Sequence, residues 1–127
     1  MKADAAEMPG RLARSAFELF AERGFPRVSL DDIAACAGVT KGSLYWHFAS
    51  KQEVILAACQ YYYQRWHATV QRRLSPIVDP AARLREVITF SVESCVVDRR
   101  NRLFTTGIFM LMQEDAAVRA SWSQFYS

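Results

Sequence analysis

The chain has little of what most chemistry-bearing folds require: three cysteines, two histidines, and no apolar run of membrane length in 127 residues. Cys36, Cys59 and Cys95 are odd in number and far apart, with no Cys-x-x-Cys and no Cys/His spacing that suits zinc. They read as reduced, buried thiols. His47 and His67 are isolated: His47 is placed to donate to a phosphate, His67 at a surface or pocket rim. The absence of a long apolar run excludes a membrane span. The first ten residues, MKADAAEMPG, contain Asp4, Glu7 and Pro9 and no hydrophobic region, so no signal peptide is read there and a cytoplasmic location is expected. No nucleophile–base pair or metal cluster stands at catalytic spacing, so neither enzyme activity nor a cofactor is expected. The arrangement left open is Cys59 or Cys95 folding near His67. No repeats or low-complexity segments appear.

Excess charge is also scarce. Sixteen Lys+Arg against thirteen Asp+Glu leave +3. Over residues 1–51, seven basic minus six acidic residues leave +1. A non-specific basic or RNA binder is therefore not expected, and the placement of charge says more than its total. Glu18, Glu22, Asp31 and Asp32 all precede a glycine turn, whereas Thr40 to Lys51 holds two lysines, one histidine and no acid.

That segment belongs to the stretch that organises the chain, VSLDDIAACAGVTKGSLYWHFASK from Val28 to Lys51. Ser29 with Asp32 makes a capping box. Ile33, Ala34 and Ala37 form one apolar face at helical spacing. Gly38 ends the helix, since glycine takes the left-handed conformation at little cost. Thr40 caps a second helix that turns Leu44 and Phe48 inward and shows Lys41, Ser43, Tyr45, Trp46 and His47 on its other face. Ser50-Lys51-Gln52-Glu53 is a second capping box. Helix, glycine turn and helix make a helix-turn-helix, whose second helix enters the DNA major groove. Lys41 and Ser43 can reach base edges; Tyr45, His47 and Lys51 can reach phosphates.

Around this motif, residues 1 to about 9 read as a flexible tail, and a first helix runs from Pro9 or Gly10 to Arg23 with Leu12, Ala16, Leu19 and Phe20 buried. A long helix from Lys51 or Gln52 to about Leu74 carries Ile55, Cys59, Tyr62, Trp66 and Val70 on one stripe. Asp79-Pro80 opens a helix to about Val97, packed through Leu84, Val87, Ile88, Ser91 and Cys95; its β-branched residues leave a strand open, but cap and spacing favour helix. Asp98 to Asn101 reads as a polar break, Arg102 to Met112 as an apolar helix, and Ala116 to about Gln124 as a last helix. The expected class is all-α.

The pieces AFELFAERGF (Ala16–Phe25), DDIAACAGVTKGSLYWHF (Asp31–Phe48) and SKQEVI (Ser50–Ile55) resemble the DNA-binding domain of the TetR family of bacterial transcriptional regulators. The resemblance covers about the first half of the chain. It implies a three-helix helix-turn-helix domain over 1–51, followed by an incomplete helical ligand-binding and dimerisation domain over 52–127. It implies a homodimer on a palindromic double-stranded DNA operator, acting as a ligand-responsive repressor. Ser29, Thr40, Tyr45, His47 and Lys51 would hold phosphates, Lys41, Ser43 and Trp46 would face bases, and Gly42 would let the backbone come close. A small apolar or aromatic effector would contact Tyr62, Trp66, Phe90, Cys95, Phe104, Phe109, Met110 and Met112, side chains that at helical spacing also read simply as core. Family members are longer. This chain reaches Phe125-Tyr126-Ser127 where further helices are expected, so a fragment or a shortened protein is anticipated. The alternative function is a protein-interaction module that pairs with a longer relative.

Overall fold

Helical periodicity dominates the computed structural model, which describes residues 2–125 and 127, with side chains from Glu7 onward. Among the described residues there are seven α-helices and no strand. They are α1 (Lys2–Arg23), α2 (Leu30–Ala37), α3 (Lys41–His47), α4 (Lys51–Leu74), α5 (Pro80–Val92), α6 (Arg99–Glu114) and α7 (Ala116–Gln124). A 3-10 turn, Phe25–Arg27, follows α1, and a π-helical turn, Glu93–Val97, follows α5.

Local chemistry sets most of these limits. Ser50 Oγ accepts from the Glu53 N–H at 3.3 Å, while the Glu53 carboxylate reaches back one residue further than in a capping box, to the Ala49 N–H at 2.7 Å. Asp79 accepts from Ala82 N–H and Pro80 follows at the first helical position, so the β-branched run of α5 is helical. Two boundaries differ from the sequence reading. Helix α1 starts at Lys2 rather than after a flexible tail to about residue 9 (Met1 lies outside the described residues). Pro9 lies inside it and removes one backbone donor, but the alanine-rich residues before it are strong helix formers. Helix α6 starts at Arg99 rather than Arg102, because Asp98 accepts from the Asn101 N–H at 2.9 Å and converts the polar break into a cap and first turn.

Helix α1 packs against α2, α4 and α6. Its buried stripe is therefore wider than expected and includes Ala13, Phe17 and Ala21. One hydrophobic core runs from Leu12, Phe20, Ile33, Leu44 and Val54 on into Phe104, Ile108, Val118 and Trp122, across the boundary expected after residue 51. At its centre the Phe25 ring stacks on Phe20 at 4.5 Å and lies 5.5 Å from Phe104. Helix α6 comes this close because Gly107 has no side chain: a Cβ there would sit 2.5 Å from the Phe25 ring.

Helix α5 is packed less than its periodicity suggested. Val87, Phe90 and Ser91 lean inward, but Leu84 and Ile88 are 61% and 56% exposed, which corrects the expectation that they pack. With Val92 and Val96 they form an apolar stripe left open among the described residues. The thiols are not uniformly buried either: Cys36 is exposed, Cys95 half-buried and Cys59 buried. Cys36 sits on the outer face of α2, one position before the inward Ala37. Burial pushes the Cys59 thiol up to about 12, which makes it unreactive.

The far ends of the two halves meet at Asp115, the cap of α7. Its carboxylate accepts from the Val118 and Ala117 N–H groups and from Gln52 Nε2 at 2.6 Å, at the start of α4. Chiefly the Val118 N–H holds its carboxyl below the ordinary value. A lowered folded-state pKa contributes stability above the unfolded pKa, lost as pH falls through the folded one. The stability gap between wild type and Asp115→Asn should therefore shrink from neutral pH to below about pH 4, measured by urea unfolding. A second expectation concerns Gly107→Ala. Overpacking against Phe25 costs about 1–3 kcal/mol, against a helix-propensity gain of about 1 kcal/mol. Net destabilisation is expected in thermal unfolding, whereas Gly10→Ala, in open space on α1, should be neutral or stabilising.

Candidate nucleic-acid interface and adjoining cavity

Two short helices are too small to hold a shape alone, so their ends are closed by side chains. Ser29 Oγ accepts from Asp32 N–H at 3.1 Å and the Asp32 carboxylate accepts from Ser29 N–H at 2.9 Å. Mainly the Ser29 backbone N–H holds the Asp32 carboxyl below its usual value. Gly38 takes φ +71°, and its N–H and that of Val39 satisfy the last carbonyls of α2. The Arg11 guanidinium donates to Ala37 O at 2.9 Å, at the negative end of the α2 dipole. Thr40 Oγ1 accepts from Ser43 N–H at 3.1 Å to start α3. Leu44 and Phe48 are buried and hold α3 against the core.

The opposite face of α3 is open. Lys41, Gly42, Tyr45 and Trp46 are exposed, and Trp46 keeps 86% of its surface in water. Ser43 and His47 are half-buried beside them. A Cβ on Gly42 would meet nothing within 4 Å, so a ligand backbone can approach there closely. Ser29 and Thr40 accept cap bonds through their hydroxyl oxygens, and each O–H remains able to donate. Two lysines are engaged within the chain. Lys51 Nζ donates to Phe25 O at 2.7 Å and ties the start of α4 to the turn after α1. Lys41 Nζ pairs with Asp31 at 3.1 Å and lies 5.9 Å from the Tyr45 ring centroid; the Asp31 hydrogen bond raises its pKa. The acid-free recognition segment thus has an acid beside it in space: Asp31 precedes the turn in sequence, but α2 folds its first turn against the start of α3.

Behind the core, α4, α5 and α6 enclose two adjoining chambers that share Tyr62 and Trp66. One, of about 230 Å³, is a polar groove with Arg65, Thr69, Asp98, Arg100 and Asn101 on its walls. The other, of about 200 Å³, is apolar, with Cys95, Thr105, Phe109 and Trp122. Phe90 reaches the polar groove. Of the expected effector contacts, Tyr62, Trp66, Phe90, Cys95 and Phe109 therefore line a chamber. Phe104 does not: it is fully buried between Phe17 (4.8 Å) and Tyr62 (5.3 Å) as core. Met110 is 69% exposed on the outer face of α6, and Met112 packs on the core edge. The Trp66 indole N–H is buried without a hydrogen-bond partner, a state that costs about 1–3 kcal/mol. Cys95 Sγ meets the Tyr62 hydroxyl at 3.4 Å, and His67 meets Gln71. No hydrogen bond among the described residues joins His67 to Cys59 or Cys95.

Residues 12–58 match the family model of bacterial regulatory proteins, tetR family. This segment belongs to the TetR family. The regulator TtgR of Pseudomonas putida is 32% identical over 102 residues, which cover 80% of this chain and 49% of TtgR. The structure of the ketosteroid transcriptional regulator KstR2 of Mycobacterium tuberculosis superposes with TM-score 0.65 at 26% identity, covering 92% of this chain and 61% of that one. A transcriptional regulator from Saccharomonospora viridis, solved in complex with choline, gives TM-score 0.84 at 21% identity, covering 95% and 63%; it shows the shared fold. The chain spans about half the length of the curated relatives it matches.

Within the TetR segment, the sequence identified the outward residues of α3 but not the Asp31 pairing. In the cavity it missed Arg65, Asp98, Arg100 and Asn101. Arg65 stands one position before Trp66 on α4, and helical spacing alone could have raised it. Asp98 and the α6 residues carried no such signal, because their position depends on how α6 packs on α1. The Asp31 pairing generates a test. Asp31→Asn should release the Lys41 ammonium and remove a negative charge facing DNA, strengthen DNA binding about two- to five-fold at low salt, and steepen the salt dependence by up to about one unit. Fluorescence anisotropy across a salt series reads both.

Proposed function

We propose that this chain is a sequence-specific DNA-binding transcriptional regulator, acting as a ligand-responsive repressor on a palindromic operator. The observation that carries the reading is the open face of α3. A seven-residue helix capped at its start by Thr40 and anchored by Leu44 and Phe48 presents Lys41, Gly42, Tyr45 and Trp46 to solvent on a TetR-family segment. An exposed tryptophan on so short a helix has no role in the core. Lys41 and Ser43 face base edges with Trp46, and Ser29, Thr40, Tyr45, His47 and Lys51 hold phosphates. As a homodimer, two such helices about 34–36 Å apart would read two half-sites.

Helix α4 supplies the connection to an effector. Its first residues, Lys51 and Gln52, hold the Phe25 carbonyl and Asp115, and Tyr62 and Trp66 on the same helix wall both chambers. At 1.5 Å per residue, roughly 21 Å of continuous helix separates Gln52 from Trp66. A ligand that prefers one tilt of this rod shifts the recognition helices only by its difference in affinity for the two states.

The second reading, a module that pairs with a longer relative, rests on the uncovered stripe of Leu84, Ile88, Val92 and Val96. Mixing with such a relative would then abolish the relative's operator binding, without tight DNA binding by this chain. The direct test is operator selection from a random duplex pool followed by anisotropy. Lys41→Ala should change base preference at the position it faces by about 1–3 kcal/mol. Ser43→Ala should change base preference at one position by about 1–3 kcal/mol. Unchanged affinity and preference in both variants would remove the assignment of α3 as the reading helix.

A further inference from the structure

We propose that the cavity takes an anionic amphiphile: a carboxylate or similar acceptor group in the polar groove, joined to an apolar body in the neighbouring chamber. This rests on the reading of the cavity as an effector site. The first observation is charge. Arg65 and Arg100 both stand on the groove, and neither has a carboxylate partner among the described residues. Arg65 donates only to the Tyr61 hydroxyl at 2.9 Å and lies over that ring; Arg100 makes no hydrogen bond or ion pair among the described residues. Arg73 bridges Glu86 and Glu93 and Arg14 meets Glu18, while Arg83, Arg102 and Arg119 donate to helix-end carbonyls; Arg65 and Arg100 differ from these in standing together on one groove. The one carboxylate on the groove, Asp98, accepts from the Asn101 N–H as the cap of α6. Two guanidiniums against one committed carboxylate favour an anion and repel a cation.

The second observation is independent of charge. The buried Trp66 N–H lacks an acceptor, and its ring walls both chambers. The indole is thus the shared wall between the groove that takes the head group and the chamber that takes the body. The third is polarity. The second chamber presents Phe109, Trp122, Tyr62 and Cys95, with no charged side chain on its walls, so the body attached to the head group is apolar. The choline complex of the S. viridis protein concerns a cation on a distant sequence; the two arginines here point to the opposite sign.

The test uses three probes of matched length: decanoate, decanol and decyltrimethylammonium. Isothermal titration of the chain and operator release are read in parallel. Decanoate should bind about ten-fold or more tighter than decyltrimethylammonium, the size of one charge-assisted hydrogen bond. Arg100→Gln should weaken decanoate about ten-fold and leave decanol unchanged; because Arg100 is exposed and unbonded, this variant keeps the fold. A cation that binds as tightly as decanoate, an Arg100→Gln variant that binds decanoate unchanged, or no binding of decanoate at all overturns the proposal. If decyltrimethylammonium releases the operator and decanoate does not, the effector reading survives and the anionic assignment falls. If decanoate binds as described but the operator stays bound, the ligand site stands and the effector reading falls.

Discussion

The seating of the Phe25 ring against Gly107 is the contact on which the two halves of this molecule depend. Phe25 follows α1 directly, and its ring is pressed between Phe20, Phe104 and the bare backbone of α6. Its carbonyl receives the Lys51 ammonium from the start of α4. One residue thus links the end of α1, the beginning of the long helix and the middle of α6. Close packing leaves little room for continuous deformation at such a point. Movement of α6 relative to α4 must therefore be transmitted or resisted there, and the Gln52–Asp115 hydrogen bond constrains the same two parts at their edge.

The helix-turn-helix follows a different logic, because α2 and α3 have eight and seven residues. Helices of that length are not stable by propensity. They persist because both ends of α2 and the start of α3 are closed by Ser29, Asp32, Gly38 and Thr40 and because Leu44 and Phe48 are committed to the core. The remaining side chains of α3 are released from structural duty, which is why an exposed tryptophan and lysine can stand there. The Lys41–Asp31 pair is a surface pair of small intrinsic worth. It matters for what it does to the positive charge that DNA would otherwise meet.

The cavity is built from the residues that the core leaves over. Phe17, Tyr62 and Phe104 close the aromatic cluster, and beyond it Trp66 and Phe90 stack at 6.0 Å on the wall of the polar groove. The polar end arises where the π-helical turn delivers the chain to Asp98 and the first turn of α6. An extra residue per turn at Glu93–Val97 sets which side chains of Arg99, Arg100 and Asn101 face inward.

Capping and periodicity are local, and the sequence by itself determined what they govern: helix class, the limits of α2, α3 and α4, the inward pair Leu44 and Phe48, and the outward face of α3. Each depends on residues within four positions of one another. The start of α1 was misjudged because a proline signal was set against the propensity of the residues before it, and Arg99 to Asn101 because a cap reads like a break. Only the tertiary structure decided the rest. It placed Asp31 beside Lys41, committed Lys51 to Phe25, buried Phe104 while leaving Met110 in water, uncovered Leu84 and Ile88, and brought Arg65 and Arg100 to one groove. All of these depend on how helices distant in sequence cross. Periodicity identifies an apolar stripe, but which part of that stripe is covered depends on the neighbour that arrives, and Gly107 sets how close α6 can come.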